Sequence, residues 1–228
     1  MEVNSYTNKG SREENQDYVV YGSLPDGSGI YIVADGMGGY TEGAIASKVV
    51  ADAIMEYVEL NYDKQSAGVL LKEAIPFAND ALMLKRVAMA GGKMGCVVVV
   101  LLVSKGYAHL TWLGDSRIYM FRDGKEVYRT EDHSILNELS KIKSLPAASI
   151  EKYSSIVTKS IMGEDNLDIA PVAKIEVQPK DVFVLCTDGF HKELDLDYAL
   201  NFNETISDRL DGMAEGIADN FSFIKVEI

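Results

Sequence analysis

Two rhythms of apolar positions alternate along the chain. Near the N-terminus, YVVYG at 18–22 and IYIVAD at 30–35 flank SLPDGSG. The Pro, Asp and Gly of that connector are turn formers, so a hairpin is predicted. From Glu42 to Asn61 the spacing becomes helical, with Ala46, Val49, Val50, Ala53, Ile54, Tyr57 and Val58 along one face. A second helical pattern runs from about Ser66 to Ala88, where Pro76 is expected to bend or interrupt it.

Strand patterning returns in GCVVVVLLV (95–103), YAHLTWLG (107–114), RIYMFRD (117–123) and KEVYRT (125–130). The turns between them, SKG, DS and DGK, are too short for a parallel crossover, so a four-stranded meander is predicted. Residues 132–163 suggest two short helices around the breaker SLPAAS. VAKIEVQ (172–178) and DVFVLC (181–186) read as a further strand pair turning at Pro179 and Lys180. One or two helices are expected in 193–217, and FSFIKVEI closes the chain as a strand.

Helices and antiparallel strands in separate blocks argue for an α+β fold. GCVVVVLLV and DVFVLC are apolar on both faces and must be covered on both sides. The expected architecture is therefore two packed antiparallel β-sheets sandwiched between helix layers. With no linker, low-complexity tract or repeat, residues 1–228 are read as a single domain.

Composition narrows the function classes. The chain is 47% apolar, enough for a sizeable core, and its 22 basic against 35 acidic residues give a net charge of −13. No local basic stripe offsets that charge, so nucleic acid and anionic membrane surfaces are poor partners. The longest apolar run, 95–103, is far below the roughly 20 residues of a membrane helix. Cys96 and Cys186 lie inside apolar runs, as buried thiols of a reducing compartment do. A cytoplasmic protein is expected. With no long apolar stripe left over, so is a monomer.

The aspartates carry the chemistry. Asp17 precedes YVVYG, Asp35 ends IYIVAD, Asp115 follows HLTWLG, Asp188 follows VFVLCT and Asp219 opens the last strand region. Strand interiors disfavour Asp, but strand ends can bring it to a shared rim. Asp35, Asp115 and Asp188 each adjoin a Gly, which allows close approach of a ligand. Several carboxylates gathered there form an all-oxygen site suited to hard divalent cations. Nearby, Arg12 in SREENQD offers a guanidinium that can clamp a phosphate, or a surface charge beside Glu13 and Glu14.

In sequence order, SREENQD (11–17), VADGMGGYTEG (33–43), GDSRIY (114–119), TEDHS (130–134), CTDGF (186–190) and ADNFSFIKV (218–226) resemble the type 2C, metal-dependent serine/threonine protein phosphatases. GMGG and TEDHS resemble the compact bacterial branch of that family. The resemblance implies hydrolysis of phosphoserine and phosphothreonine in proteins by direct attack of a metal-bridging water, without a phosphoenzyme. It implies that Asp35 bridges two Mn²⁺ or Mg²⁺ ions, with the Gly36 carbonyl joining one of them. Asp188 and Asp219 would complete the first ion's ligands, and Asp17 would act through a bound water. Asp115 would hold a third, looser ion with help from Asp188, while Arg12 would bind the substrate phosphate. Asp35 and Arg12 are thus the expected catalytic residues. The implied partners are phosphorylated proteins, with a Ser/Thr kinase and its targets the natural source. A phosphatase fold kept as an inactive phosphoprotein-binding module is the alternative.

Three positions depart from the family pattern. Met37 stands where some members carry a His proposed to protonate the leaving group; Gln16 stands where some have Glu; Cys96 replaces a usual Thr. His133 in TEDHS reads better as a turn or cap residue than as a substitute acid. Lys141 to Asp168 corresponds to the flap of the bacterial branch, which shapes access for the phosphoprotein.

Overall fold

Residues 1–37, 42–90, 92–142, 153 and 156–228 are described in a computed structural model of the chain. Strands β1 (Glu2–Asn8), β2 (Asp17–Ser23) and β3 (Gly29–Gly36) precede helices α1 (Gly43–Asn61) and α2 (Ala67–Ala88). Then come β4 (Cys96–Ser104), β5 (Tyr107–Leu113), β6 (Arg117–Arg122), β7 (Lys125–Arg129) and α3 (Ile135–Ser140). The chain ends with β8 (Val172–Glu176), β9 (Val182–Cys186), α4 (Asp188–Glu193), α5 (Asp197–Leu200), α6 (Glu204–Met213) and β10 (Phe221–Glu227).

The strands form two five-stranded antiparallel sheets, ordered β2-β3-β4-β5-β8 and β1-β10-β9-β6-β7. Period-two alternation sorts their side chains into layers. Ile30, Ile32 and Ala34 of β3, with Val98, Val100 and Leu102 of β4, pack against Ala46, Val50 and Ile54 of α1 and Leu71, Ala74 and Ala78 of α2. The opposite face, with Tyr31, Val33, Val99 and Leu101, meets Ile118, Phe183, Leu185 and Ile224 of the second sheet. That sheet's outer face buries Tyr119, Val184 and Phe223 against Phe190, Ala199 and Leu210 of the C-terminal helices. The expected sandwich of two sheets between helix layers is what the chain adopts, and β4 and β9 are covered on both sides as their composition requires.

The connectivity differs from the expectation in two places. The meander stops after β5: β4 and β5 belong to one sheet, β6 and β7 to the other. The short turn at 114–116 carries the chain from one sheet to the other. Gly114, at φ 114°, allows this, and a Cβ there would strike the Val97 side chain. Likewise β8 pairs with β5, whereas β9 pairs with β10 and β6, so the two are not a hairpin. At that crossing Asp181 is buried, chelated by Arg122 Nε and Nη2 at 2.8 and 2.7 Å.

The polar β1, EVNSYTN, escapes an apolar-pattern reading but adds to the sheet edge through β10. Pro76 does not end α2, because it lies on the exposed side, where water can serve the carbonyl it leaves unpaired. Helix also begins at Asp188, five residues earlier than the expected 193. Of the two helices expected in 132–163, α3 is observed, while 143–152 and the breaker SLPAAS lie outside the described residues.

Candidate active site

Antiparallel pairing places the start of one strand beside the end of its neighbour. Asp17 opens β2 opposite Asp35 near the end of β3, and Gly36 is opposite Cys96 at the start of β4. In the other sheet Cys186, ending β9, lies opposite Arg117 at the start of β6 and Phe223 near the start of β10. One rim of the sandwich therefore gathers Asp17, Asp35, Asp115, Asp188 and Asp219. With Arg12, Gln16, Gly36, Met37 and Asn220, four of these aspartates line an open cleft of about 1040 Å³. Asp17 lies just beneath, buried.

Small residues let these segments converge. A Cβ on Gly36 would collide with the carbonyl oxygens of Gly43 and Gln16, and one on Gly189 with the Asn220 carbonyl. Asn220, which sequence reasoning did not single out, ties the arginine loop to β10. Its Nδ2 donates to the Lys9 and Glu14 carbonyls at 2.8 and 3.0 Å, and its Oδ1 accepts from the Gln16 amide at 2.8 Å. Arg12 leans across this junction, donating from Nε to the Ala218 carbonyl at 3.1 Å and from Nη2 to Asp219 at 2.9 Å.

The carboxylates repel one another and lose hydration, and both effects favour protonation. Burial raises Asp17 to about 7, although Ser222 Oγ (2.7 Å) and Thr187 Oγ1 (3.0 Å) donate to its Oδ2. Its Oδ1 is buried with no partner. Burial, then the charges of Asp17, Asp188 and Asp115, push Asp35 well above the usual carboxylate range. Burial and Asp188 raise Asp115 too, against the pull of Lys192. Burial would also raise Asp188, but the Lys192 ammonium, with a hydrogen bond to Asp35 and the nearby His191, holds this carboxyl below its ordinary value.

Lys192, which sequence reasoning missed, stands among these carboxylates. Its Nζ lies 2.7 Å from Asp188 Oδ2 and 3.1 Å from Asp115 Oδ2. The signal was present, since four residues separate Asp188 from Lys192 and one helical turn brings them together. It was hidden by placing the helix start at 193. Thr187 and Ser222, which steady Asp17, were missed too.

None of the three histidines is among the residues lining the cleft. His133 stacks on Trp112 with ring centroids 6.0 Å apart, and its Nδ1 accepts from the Gly114 amide at 3.2 Å, so it shapes the turn that presents Asp115. His191 places Nε2 2.9 Å from the Asp115 carbonyl, and burial lowers it to about 4. Met37 lines the cleft, and Ile156, Val157, Ser160 and Met162 bring the described part of the 141–168 segment to its edge. Residues 38–41 of the VADGMGGYTEG motif lie outside the described residues.

The donor set suits hard cations: it is all oxygen, with an unsatisfied Asp17 Oδ1 and an Asp35 carboxyl whose proton affinity is raised by burial and by neighbouring carboxylates. Among the described residues no three His, Cys, Asp or Glu side chains stand as a ready-made cage around one point. Instead, Asp219 is paired with Arg12, and Asp188 and Asp115 with Lys192. Asp219 is partly exposed and its ion pair is a surface one, so a divalent ion can displace Arg12 at little cost.

The sequence matches the family described as Protein phosphatase 2C over residues 7–220. It is 31% identical over 207 residues to the protein phosphatase PhpP of Streptococcus pneumoniae, covering 88% of this chain and 80% of that one. The serine/threonine phosphatase Stp of Listeria welshimeri is 25% identical over 230 residues, covering 95% of this chain and 91% of the other. Among solved structures, the Mycobacterium tuberculosis serine/threonine phosphatase PstP/Ppp superposes with a TM-score of 0.83 at 22% identity, covering 100% and 98% of the two chains. The catalytic domain of PstP in complex with 2 manganese ions gives 0.80 at 23% identity over 99% and 97%.

Proposed function

The chain belongs to the protein phosphatase 2C family, and from that premise we propose that it hydrolyses phosphoserine and phosphothreonine in proteins with two Mn²⁺ or Mg²⁺ ions and no phosphoenzyme. The observation that carries this reading is the meeting of Asp35, Asp188, Asp219 and Arg12 in one open cleft, from segments spread over the whole chain. Asp35, the Gly36 carbonyl, Asp188 and Asp219 would hold the ion pair, and Asp17 would reach it through water. Bound there, divalent ions supply water activation near neutral pH and offset charge on phosphoryl oxygens.

The chain's own residues do the rest. Arg12 is 47% exposed at the cleft mouth, so its guanidinium can turn from Asp219 to two oxygens of a phosphate. Neither cysteine competes as a nucleophile, since both are buried and burial pushes both thiols up. With Met37 in the cleft and no histidine lining it, the proton for the departing alkoxide comes from water or from another side chain of the cleft. The reading extends to a phosphorylated partner, with a Ser/Thr kinase and its targets the natural source, and to residues 1–228 as one monomeric catalytic domain. Two buried free thiols support a reducing, cytoplasmic setting. No described helix is long and apolar enough to cross a membrane.

Hydrolysis of p-nitrophenyl phosphate and of a phosphothreonine peptide, with Mn²⁺ and then with chelator, tests the proposal. Turnover that requires the metal and disappears in Asp35→Asn is expected. Mn²⁺ binding without turnover of either compound would sink it in favour of a phosphoprotein-binding module.

A further inference from the structure

We propose that Lys192 is a resident cation, whose ammonium takes the place between Asp115 and Asp188 that the family resemblance gives to a third divalent ion, so that this chain loads two ions and not three. The inference rests on the two-ion reading above. Lys192 Nζ contacts the Oδ2 atoms of both carboxylates, at 3.1 Å from Asp115 and 2.7 Å from Asp188. A divalent ion shared by those carboxylates would have to share oxygens that already face an ammonium, at like-charge distance from it.

The arrangement is built in from three directions. Helix α4 returns Lys192 over Asp188 one turn later. Asp115, whose side chain is only 6% exposed, is seated by contacts on both sides of it. His191 meets its carbonyl at 2.9 Å, while His133 donates its backbone amide to the Gly114 carbonyl at 2.8 Å. The backbone that carries this carboxylate is thus held in place opposite Lys192. Lys192 meets Asp188 through that carboxylate's Oδ2. The fixed positive charge also offsets the extra carboxylate in a cleft that must accept a phosphate dianion.

Mn²⁺ stoichiometry, by calorimetry and by anomalous scattering from Mn²⁺-soaked crystals, tests the inference independently of turnover. The wild type is expected to bind two ions, with no anomalous peak between Asp115 and Asp188. Lys192→Met should gain a third ion there, and adding Asp115→Asn should remove it. Three ions in the wild type, or a folded Lys192→Met that still binds two, overturns the role of Lys192 while the two-ion reading stands. If Lys192→Met does not fold, the wild-type count and peak positions decide alone. A wild type that binds no Mn²⁺ overturns the two-ion reading and this inference with it.

Discussion

Asp17 and Asp35 are direct cross-strand partners in the β2–β3 ladder. Residues directly opposite in an antiparallel pair project to the same face, where like charges destabilise the pairing. The sheet thus holds two carboxyls together at its rim, one of them buried, and folding alone gives no reason to do so. Cations entering this rim relieve the repulsion, and the site's measurable properties follow from that tension.

Stability without metal should fall as pH rises. Asp17 moves from its ordinary 3.8 to about 7 in the folded protein, chiefly through burial. Between those values the unfolded chain gives up its proton while the folded chain keeps it. The folded state therefore loses ground with rising pH until about 7. Asp35 and Asp115, both raised, add in the same direction. In chelator, stability should drop between pH 5 and 8 by on the order of a few kcal/mol, each lowering the melting temperature by roughly 2–4 °C. Saturating Mn²⁺ should reverse most of the drop. A flat profile in chelator would contradict the account.

Asp35→Asn should separate stability from activity. The substitution removes a charge from the crowded rim, so the metal-free protein should melt higher at pH 8. Turnover should nonetheless fall by about 10³-fold or more, since the residue expected to bridge both ions loses its charge. Melting curves and steady-state kinetics on the same preparation check this. A lower melting temperature alongside lost turnover would mean a folding defect instead.

Arg12→Ala should act on substrate binding. Its ion pair with Asp219 is exposed on both sides, so stability should change by no more than about 0.5 kcal/mol. KM for a phosphopeptide should rise roughly tenfold, about 1.4 kcal/mol of lost phosphate binding, with kcat changed less. A large fall in kcat at constant KM would instead assign Arg12 to the transition state alone.

Gly36→Ala should damage the rim itself. Its added methyl would strike two backbone carbonyl oxygens, of Gly43 and Gln16, which cannot move without shifting α1 or the β2 approach. A cost of about 1–3 kcal/mol is expected, read as a lowered denaturation midpoint, together with weakened Mn²⁺ binding. Gly27→Ala, where no atom lies within 4 Å of a Cβ, is the contrasting case, although its φ of 83° adds backbone strain.

Much of this protein could be read without coordinates, because local rules govern that part. The helical faces of α1 and α2 and the two-sided burial of β4 and β9 follow from side-chain period alone. So does the placement of Asp17, Asp35, Asp115, Asp188 and Asp219 at strand ends. What the order of residues could not decide was which strands pair. The turn at 114–116 reads like a hairpin turn, and only the packing of Gly114 on Val97 shows that it passes between sheets. Strand pairing depends on which apolar face finds which partner, and that is a property of the whole core. The same holds within the site. Sequence placed the carboxylates at a rim, but the crossing of the chain between two sheets set Asp115 and Asp188 at one ammonium. Charge balance among groups far apart in the chain exists only once folding has brought them within a few ångströms, where Coulomb interaction outweighs solvation by water.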